Sequence, residues 1–242
     1  MTRSDNKEVI LVACGGPSSS GKTTASKTLQ NFLPDLTVIH LDDFYLHDTK
    51  IPIDDATGMQ NWDCPEAIDF DRFIGYIRDI KHNNTSIPEI NSKEPTEVNL
   101  KLSQKEIAHF QNKVNESQEI FQNKKLVLVD GFMLYHNPEI IELFDIKLFF
   151  HASYETLKER RESRSGYTTL DGFWVDPPHY FEKIVWPAYV RSHQYLFQDE
   201  NVQSILKKDV RNKYNILDID NEKEMSLFHL IEWSLTSIIN GI

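Results

Sequence analysis

An α/β fold with a parallel sheet flanked by helices is predicted by three features of the sequence. Short apolar runs recur along the chain, helical stretches separate them, and a glycine-rich segment sits between the first run and the first helix. Residues 9–14 form a continuous apolar run, as a strand buried on both faces requires. The spacing then predicts a helix over 22–32, with Ala25, Leu29 and Phe32 on one face and Pro34 as its stop. A second strand, 36–41, ends abruptly in Asp42 and Asp43. Residues 81–125 read as an insertion. Its first half, with His82, Asn83, Asn84, Pro88 and Pro95, is a polar loop. Its second half is a helix opened by a capping box of Ser103 and Glu106, with Ile107, Phe110, Val114 and Phe121 as the apolar stripe. A third strand, 126–129, ends in Asp130 and Gly131, and a fourth, 146–150, leads into a helix over 154–164. Residues 178–198 and 225–239 also read as helical. The expectation is one domain over 1–242, with the insertion at about 81–125 and a lid at about 160–178.

Charge and composition narrow the classes of partner. The chain has 242 residues, 40% hydrophobic and 26% charged, with a formal net charge of −11. A surface that acidic repels nucleic-acid backbones and anionic lipids, so neither is an expected partner. No run of about 18 apolar residues is present to span a bilayer, and residues 1–8 are polar, without the apolar stretch of a secretory signal. Cys14 and Cys64 have neither metal-site nor disulfide-scaffold spacing. The cytosol is the expected address, with the nucleus open to a chain of 28.2 kDa, and a monomer is expected.

The most specific motif is Gly16-Pro17-Ser18-Ser19-Ser20-Gly21-Lys22-Thr23, a full match to G-x-x-x-x-G-K-[ST]. Its glycines let backbone N–H groups turn inward on phosphate oxygens, and the following helix directs its positive dipole end at the same anion. Lys22 is placed to reach the β- and γ-phosphates, and the Thr23 hydroxyl to ligate Mg²⁺. The bland alternative, a Gly/Ser turn, does not explain a buried strand before it and a helix after it. This is therefore a P-loop chain, with ATP and Mg²⁺ as its expected cofactors.

In an open parallel sheet, ligands bind beyond the carboxyl ends of the strands. Asp130 ends an apolar strand and has the Walker-B look, a carboxylate for the Mg²⁺ shell; its alternative is a turn residue before Gly131. Asp42 is either a base for the attacking hydroxyl or a simple turn or cap residue, and Asp43 is equally able to take either role. Asp63 with Glu66 has capping-box spacing around Pro65, so Asp63 is either an N-cap or a ligand, and Trp62 either a core aromatic or a binding surface. Arg160, Arg161 and Arg164 read either as a solvated helix end or as a cluster closing over a transferring phosphoryl group. Residues 165–172 have the composition of a mobile cover.

In this order, the motifs resemble those of the nicotinamide riboside kinases, within the uridine kinase and phosphoribulokinase group, and look most like the fungal branch. The resemblance spans about residues 9–195. It is carried by Gly16 to Thr24, by His40-Leu-Asp-Asp-Phe-Tyr45, by Asn61-Trp-Asp-Cys-Pro-Glu-Ala67, by Val129-Asp-Gly-Phe132, by the 160–167 segment, by Phe173-Trp-Val-Asp-Pro-Pro178, and by Val185-Trp-Pro-Ala-Tyr189. It implies a 5′-kinase making nicotinamide mononucleotide for NAD biosynthesis, with nicotinic acid riboside as a further substrate. Asp42 would be the proton acceptor, close to Mg²⁺ with Thr23, and Asp42, Asp43, Phe44 and Tyr45 would line the substrate pocket. Lys22 and Asp130 would complete the catalytic set. Trp62 would lie against the nicotinamide and Asp63 would hold the ribose hydroxyls. The loop through Thr24, with Arg160 and Arg164, would contact ATP; Arg161, Tyr167 and Thr168 would face the substrate. The segment between Arg164 and Tyr167 is one residue longer than that family's pattern, and no functional residue carries onto the insertion. Uridine-cytidine kinase is the nearest alternative, since it shares the Asp-Phe-Tyr element. A nucleotide-dependent switch would need a guanine-reading N-K-x-D element, which the sequence lacks, and a catalytically silent scaffold would not need Lys22, Thr23, Asp42 and Asp130 together.

Overall fold

The computed structural model describes residues 7–83, 101–169 and 172–242. The predicted loop positions Asn84, Pro88 and Pro95 lie outside these, as do residues 1–6 and, within the predicted lid, Leu170 and Asp171. The first strand, β1 (Glu8–Gly15), leads through the glycine-rich loop into α1 (Lys22–Leu29), and β2 (Thr37–His40) follows. Next come α2 (Phe70–Asn83), α3 (Gln104–Glu116), β3 (Lys124–Gly131), α4 (Pro138–Ile141) and β4 (Ile146–His151). The chain continues as α5 (Tyr154–Glu162), the paired short strands β5 (Tyr167–Thr168) and β6 (Phe173–Trp174), and α6 (Trp186–His193). It ends with α7 (Lys208–Tyr214), β7 (Ile216–Asp220) and α8 (Leu227–Gly241).

Five strands form one parallel sheet in the order β2-β3-β1-β4-β7. The strand that carries the glycine-rich loop is therefore central, and both its faces are buried. Val9, Leu11 and Ala13 join the core that includes Phe73 and Ile77 of α2, while Ile10, Val12 and Cys14 join the core under α1, α3 and α8. Covering both faces is what turns these strands into continuous apolar runs rather than alternating ones. In the sheet's register Asp130 lies beside both Cys14 and His40, so the carboxyl ends of three strands meet at one edge.

The expected elements are present, with shifted ends. Helix α1 stops at Leu29, not residue 32, because Asn31 and Phe32 bond back to Thr28 and Leu29 in tighter turns and the Asn31 amide caps the Lys27 carbonyl. Phe32 still packs on that core, 5.2 Å from the Phe110 ring. The Ser103 capping box is present, but Phe121 is not on the α3 stripe; it closes a 3₁₀ turn over Gln118–Phe121 and is buried from there. His82 and Asn83 end α2 and are not loop residues. The strand over 216–220 escapes a search for apolar runs because Asp218 and Asp220 interrupt it at the sheet's edge. Among the described residues no helix is long and apolar enough to cross a membrane.

Candidate active site

The glycine-rich loop is shaped by close backbone approach. Gly16 has φ of 136°, and a Cβ there would lie 2.2 Å from the Phe150 carbonyl oxygen; Gly21 has φ of 98°. Only glycine meets both demands. From the loop after β7, Asn221 donates to the Ser20 carbonyl at 2.8 Å and braces it from beneath. The loop then opens α1 with no side-chain cap and no acidic residue in the first turn, so the helix's leading N–H groups have no local anion. The buried Ser19 and Ser20 hydroxyls have no hydrogen-bond partner among the described residues. Buried polar atoms left in that condition fit a group supplied from outside, such as a phosphate. Lys22 is buried and donates to the Pro17 carbonyl at 2.8 Å; burial lowers its pKa, against the opposing pull of Asp130. Thr24 is exposed on the outer side of α1, and its carbonyl accepts from Thr28.

A cavity of about 390 Å³ opens above this loop at the carboxyl edge of the sheet. Ser18, Ser19, Lys22 and Thr23 form its floor, Asp42, Asp43 and Asp130 one rim. Asp130 is a strand residue, not part of a turn. His40 Nδ1 lies 3.4 Å from its Oδ2. Burial alone would raise the Asp130 pKa, but the bond from His40, the charge of Lys22 and a bond from Thr23 hold it below the usual carboxylate range. Asp42 and Asp43 sit in the 3₁₀ turn Leu41–Phe44 that ends β2. Phe44 departs from the expected lining. It points away from the cavity and is buried edge-on against Phe73, while Tyr45 takes the wall position. The Tyr45 hydroxyl donates to the Trp62 carbonyl at 2.9 Å, and its ring stacks with Phe132 at 6.0 Å.

Arg161 organises the opposite side. Only 6% exposed, it is no solvated helix end. Its Nη1 and Nη2 donate to the two oxygens of Asp63 at 2.9 and 3.1 Å, and its Nε and Nη2 to Asp176 at 2.7 and 3.2 Å. Nη1 also donates to Ser18 Oγ of the phosphate loop at 2.8 Å, so all five guanidinium N–H groups are used. Burial works against its charge, but Asp63 and Asp176 hold its proton well above the usual range. Asp63 is thus not an N-cap: the turn at Pro65 starts at Cys64 without a side-chain cap. Two carboxylates around one guanidinium leave this side with a net negative charge. Arg164 is exposed at the cavity, its guanidinium 5.4 Å from the Tyr167 ring, and Thr168 lines the same wall. Arg160 is turned elsewhere, donating to the Glu222 carbonyl at 3.2 Å.

Aromatic side chains complete the enclosure. Trp62 is 6% exposed and meets the Tyr45 ring edge-on at 5.4 Å. Phe132, Tyr167 and Trp174 also face the space. Of the residues that shape the site, sequence reasoning gave no role to His40, Phe132, Trp174, Asp176 or Asn221. Phe132 had a signal, two residues beyond Asp130. Asn221 had none, because its role depends on β7 lying next to β4.

Comparison with known proteins bears on this arrangement. The sequence pattern described as the Phosphoribulokinase / Uridine kinase family matches residues 11–165. The chain is 37% identical over 237 residues to the nicotinamide riboside kinase of Saccharomyces cerevisiae, covering 97% of each chain. It is 33% identical over 240 residues to the nicotinamide riboside kinase of Schizosaccharomyces pombe, covering 98% of this chain and 99% of that one. Human nicotinamide riboside kinase 1 is more distant, 25% identical over 191 residues, covering 77% and 78%.

Proposed function

The chain belongs to the phosphoribulokinase / uridine kinase family, and within it to the nicotinamide riboside kinases, and on that premise we propose that it transfers the γ-phosphoryl of ATP to the 5′-hydroxyl of nicotinamide riboside. The product is nicotinamide mononucleotide, a precursor in NAD biosynthesis. One observation carries the choice of substrate: an aromatic cavity whose charged wall holds two carboxylates against one guanidinium. Nicotinamide riboside is a pyridinium cation, and an aromatic face attracts a cation by about 0.5–2 kcal/mol. A neutral uracil gains only the stacking.

In this reading the loop amides and the unpartnered serines receive the phosphates, while Lys22 and Arg164 supply positive charge for the transferring group. Mg²⁺ suits the oxygen donors of Thr23, Asp42 and Asp130, and when bound it neutralises the phosphate charge that develops during transfer. Asp42 accepts the proton of the ribose 5′-hydroxyl. Asp63 accepts from the 2′- and 3′-hydroxyls; each of its oxygens already takes one Arg161 N–H and keeps capacity for another donor. Trp62 and Tyr167 flank the pyridinium. Arg160, whose guanidinium is bonded to the Glu222 carbonyl and does not line the cavity, would have to turn from that bond to reach ATP.

The test is a coupled ADP-release assay with nicotinamide riboside, nicotinic acid riboside, uridine and cytidine. Nicotinamide riboside should have the highest kcat/KM. A faster reaction with either pyrimidine nucleoside would make the protein a uridine-cytidine kinase.

A further inference from the structure

Trp174 forms part of the cavity wall from β6. Its ring centroid is 5.7 Å from that of Trp62, tilted by 49°, and 5.6 Å from that of Tyr180. Its indole N–H donates to Asp176 Oδ1 at 2.9 Å. That same oxygen accepts from Arg161 Nη2 at 3.2 Å, and the other Asp176 oxygen accepts from Arg161 Nε at 2.7 Å. Because Arg161 also grips Asp63 through both carboxylate oxygens, a chain of hydrogen bonds runs from the indole through Asp176 and Arg161 to Asp63.

We infer that Trp174 is a specificity residue for the nucleobase ring, and that Asp176 is the positioning residue that sets Trp174 and Asp63 in register. The inference rests on the reading of this cavity as a nucleoside site. An indole whose N–H is held by a carboxylate is polarised toward its ring, and bonds in such a chain reinforce one another. The face it offers to a pyridinium is therefore more electron-rich than that of an untethered ring, with the Asp176 carboxylate at the ring's N–H edge. The two recognition elements also share one anchor. A ring that fits against Trp174 meets an Asp63 already held for the ribose, and a tilted indole would shift Arg161 and with it the ribose-binding carboxylate.

Steady-state kinetics with nicotinamide riboside and with uridine decide the matter, using wild type, Trp174→Phe, Trp174→Ala, Asp176→Asn and the Trp174→Phe/Asp176→Asn double variant. Trp174→Phe keeps a ring but has no N–H to donate. It should raise the KM for nicotinamide riboside by about 3–10-fold, leave the KM for ATP within about twofold, and narrow the preference over uridine. Trp174→Ala should raise the nucleoside KM by about 10–100-fold. The double variant should be no worse than the poorer single variant, since both substitutions break the same link. Should Trp174→Ala not fold, Trp174→Phe still carries the test. Unchanged nucleoside KM in Trp174→Phe, or a loss confined to kcat, overturns the role of Trp174. Additive losses in the double variant overturn that of Asp176. If wild type prefers uridine, the proposed function falls, and the same KM comparison made on uridine still judges the inference.

Discussion

The Lys22 ammonium donates to the carbonyl of Pro17, 2.8 Å away and five residues earlier in the same loop. Binding a phosphate there exchanges a neutral acceptor for an anionic one, at a lysine whose proton burial already loosens. Lys22→Ala should lower kcat at least about 100-fold, as removal of a transition-state charge contact does, and cost the fold only about 1 kcal/mol for the single lost hydrogen bond. ADP release and a thermal melt check the two halves. More than about a tenth of wild-type rate remaining would mean less than roughly 1.4 kcal/mol was lost, too little for the role.

Asp42 and Asp43 both border the cavity from one short turn, and substitution separates them. Asp42→Asn keeps the shape but cannot take a proton, so kcat should fall by about 10²–10⁴ with the KM for ATP nearly unchanged. The same loss in Asp43→Asn, with Asp42→Asn active, would move the base one residue along.

At the opposite wall, Trp62→Ala should weaken nicotinamide riboside by about 1–3 kcal/mol, stacking and cation attraction together. Trp62→Phe should recover much of the stacking. Asp63→Ala should be worse than either, because on the proposed reading it strips partners from two ribose hydroxyls. It also breaks a buried ion pair, a change that costs about 3–5 kcal/mol where no other counter-charge remains. Asp176 still pairs Arg161, so the loss of stability should fall short of that range in a urea melt.

His193 supplies a pH dependence independent of catalysis. It is fully buried beside Tyr189, and burial, aided by the field of His136, lowers its pKa from 6.5 to about 3. Between these values the unfolded chain binds a proton that the folded chain refuses. Stability is therefore complete above about pH 6.5 and declines as pH falls toward 3, by up to about 1.4 kcal/mol per pH unit from this group. His193→Gln removes the titration. Urea melts at pH 7, 6 and 5 should show a slope shallower by that amount than in wild type; equal slopes would refute it.

The sequence made the glycine-rich loop and the strand-end place of Asp130 legible because both are local: a strand, a tight loop and a helix start follow one another within a few residues, and Asp130 directly ends an apolar run. Arg161 was harder. In sequence it is one of three arginines at a helix end, and only the packing of α5 against residues 61–64 and 176 buries it between Asp63 and Asp176. The same holds for Asp63, whose spacing to Glu66 suggested a cap; a nearby guanidinium outcompeted the backbone for its carboxylate. Phe44 and Phe132 show the limit most plainly. Both follow a strand-end carboxylate by two residues, yet a 3₁₀ turn carries Phe44 into the core while Phe132 stays at the cavity.

The strand order places the two halves of the active site on strands of unequal permanence. The phosphate loop hangs from β1, paired on both sides by β3 and β4, whereas the turn with Asp42 hangs from the four-residue edge strand β2, and Asn221 follows the edge strand β7. Amide hydrogens at an edge exchange through local openings that leave the centre intact. The β1 amides should therefore be the last of the sheet to exchange with deuterium, and those of β2 among the first. On the proposed reading, a local opening of β2 would release the Asp42 turn while the glycine-rich loop on β1 stays in place, so the capacity to bind nucleotide would outlast the capacity to react.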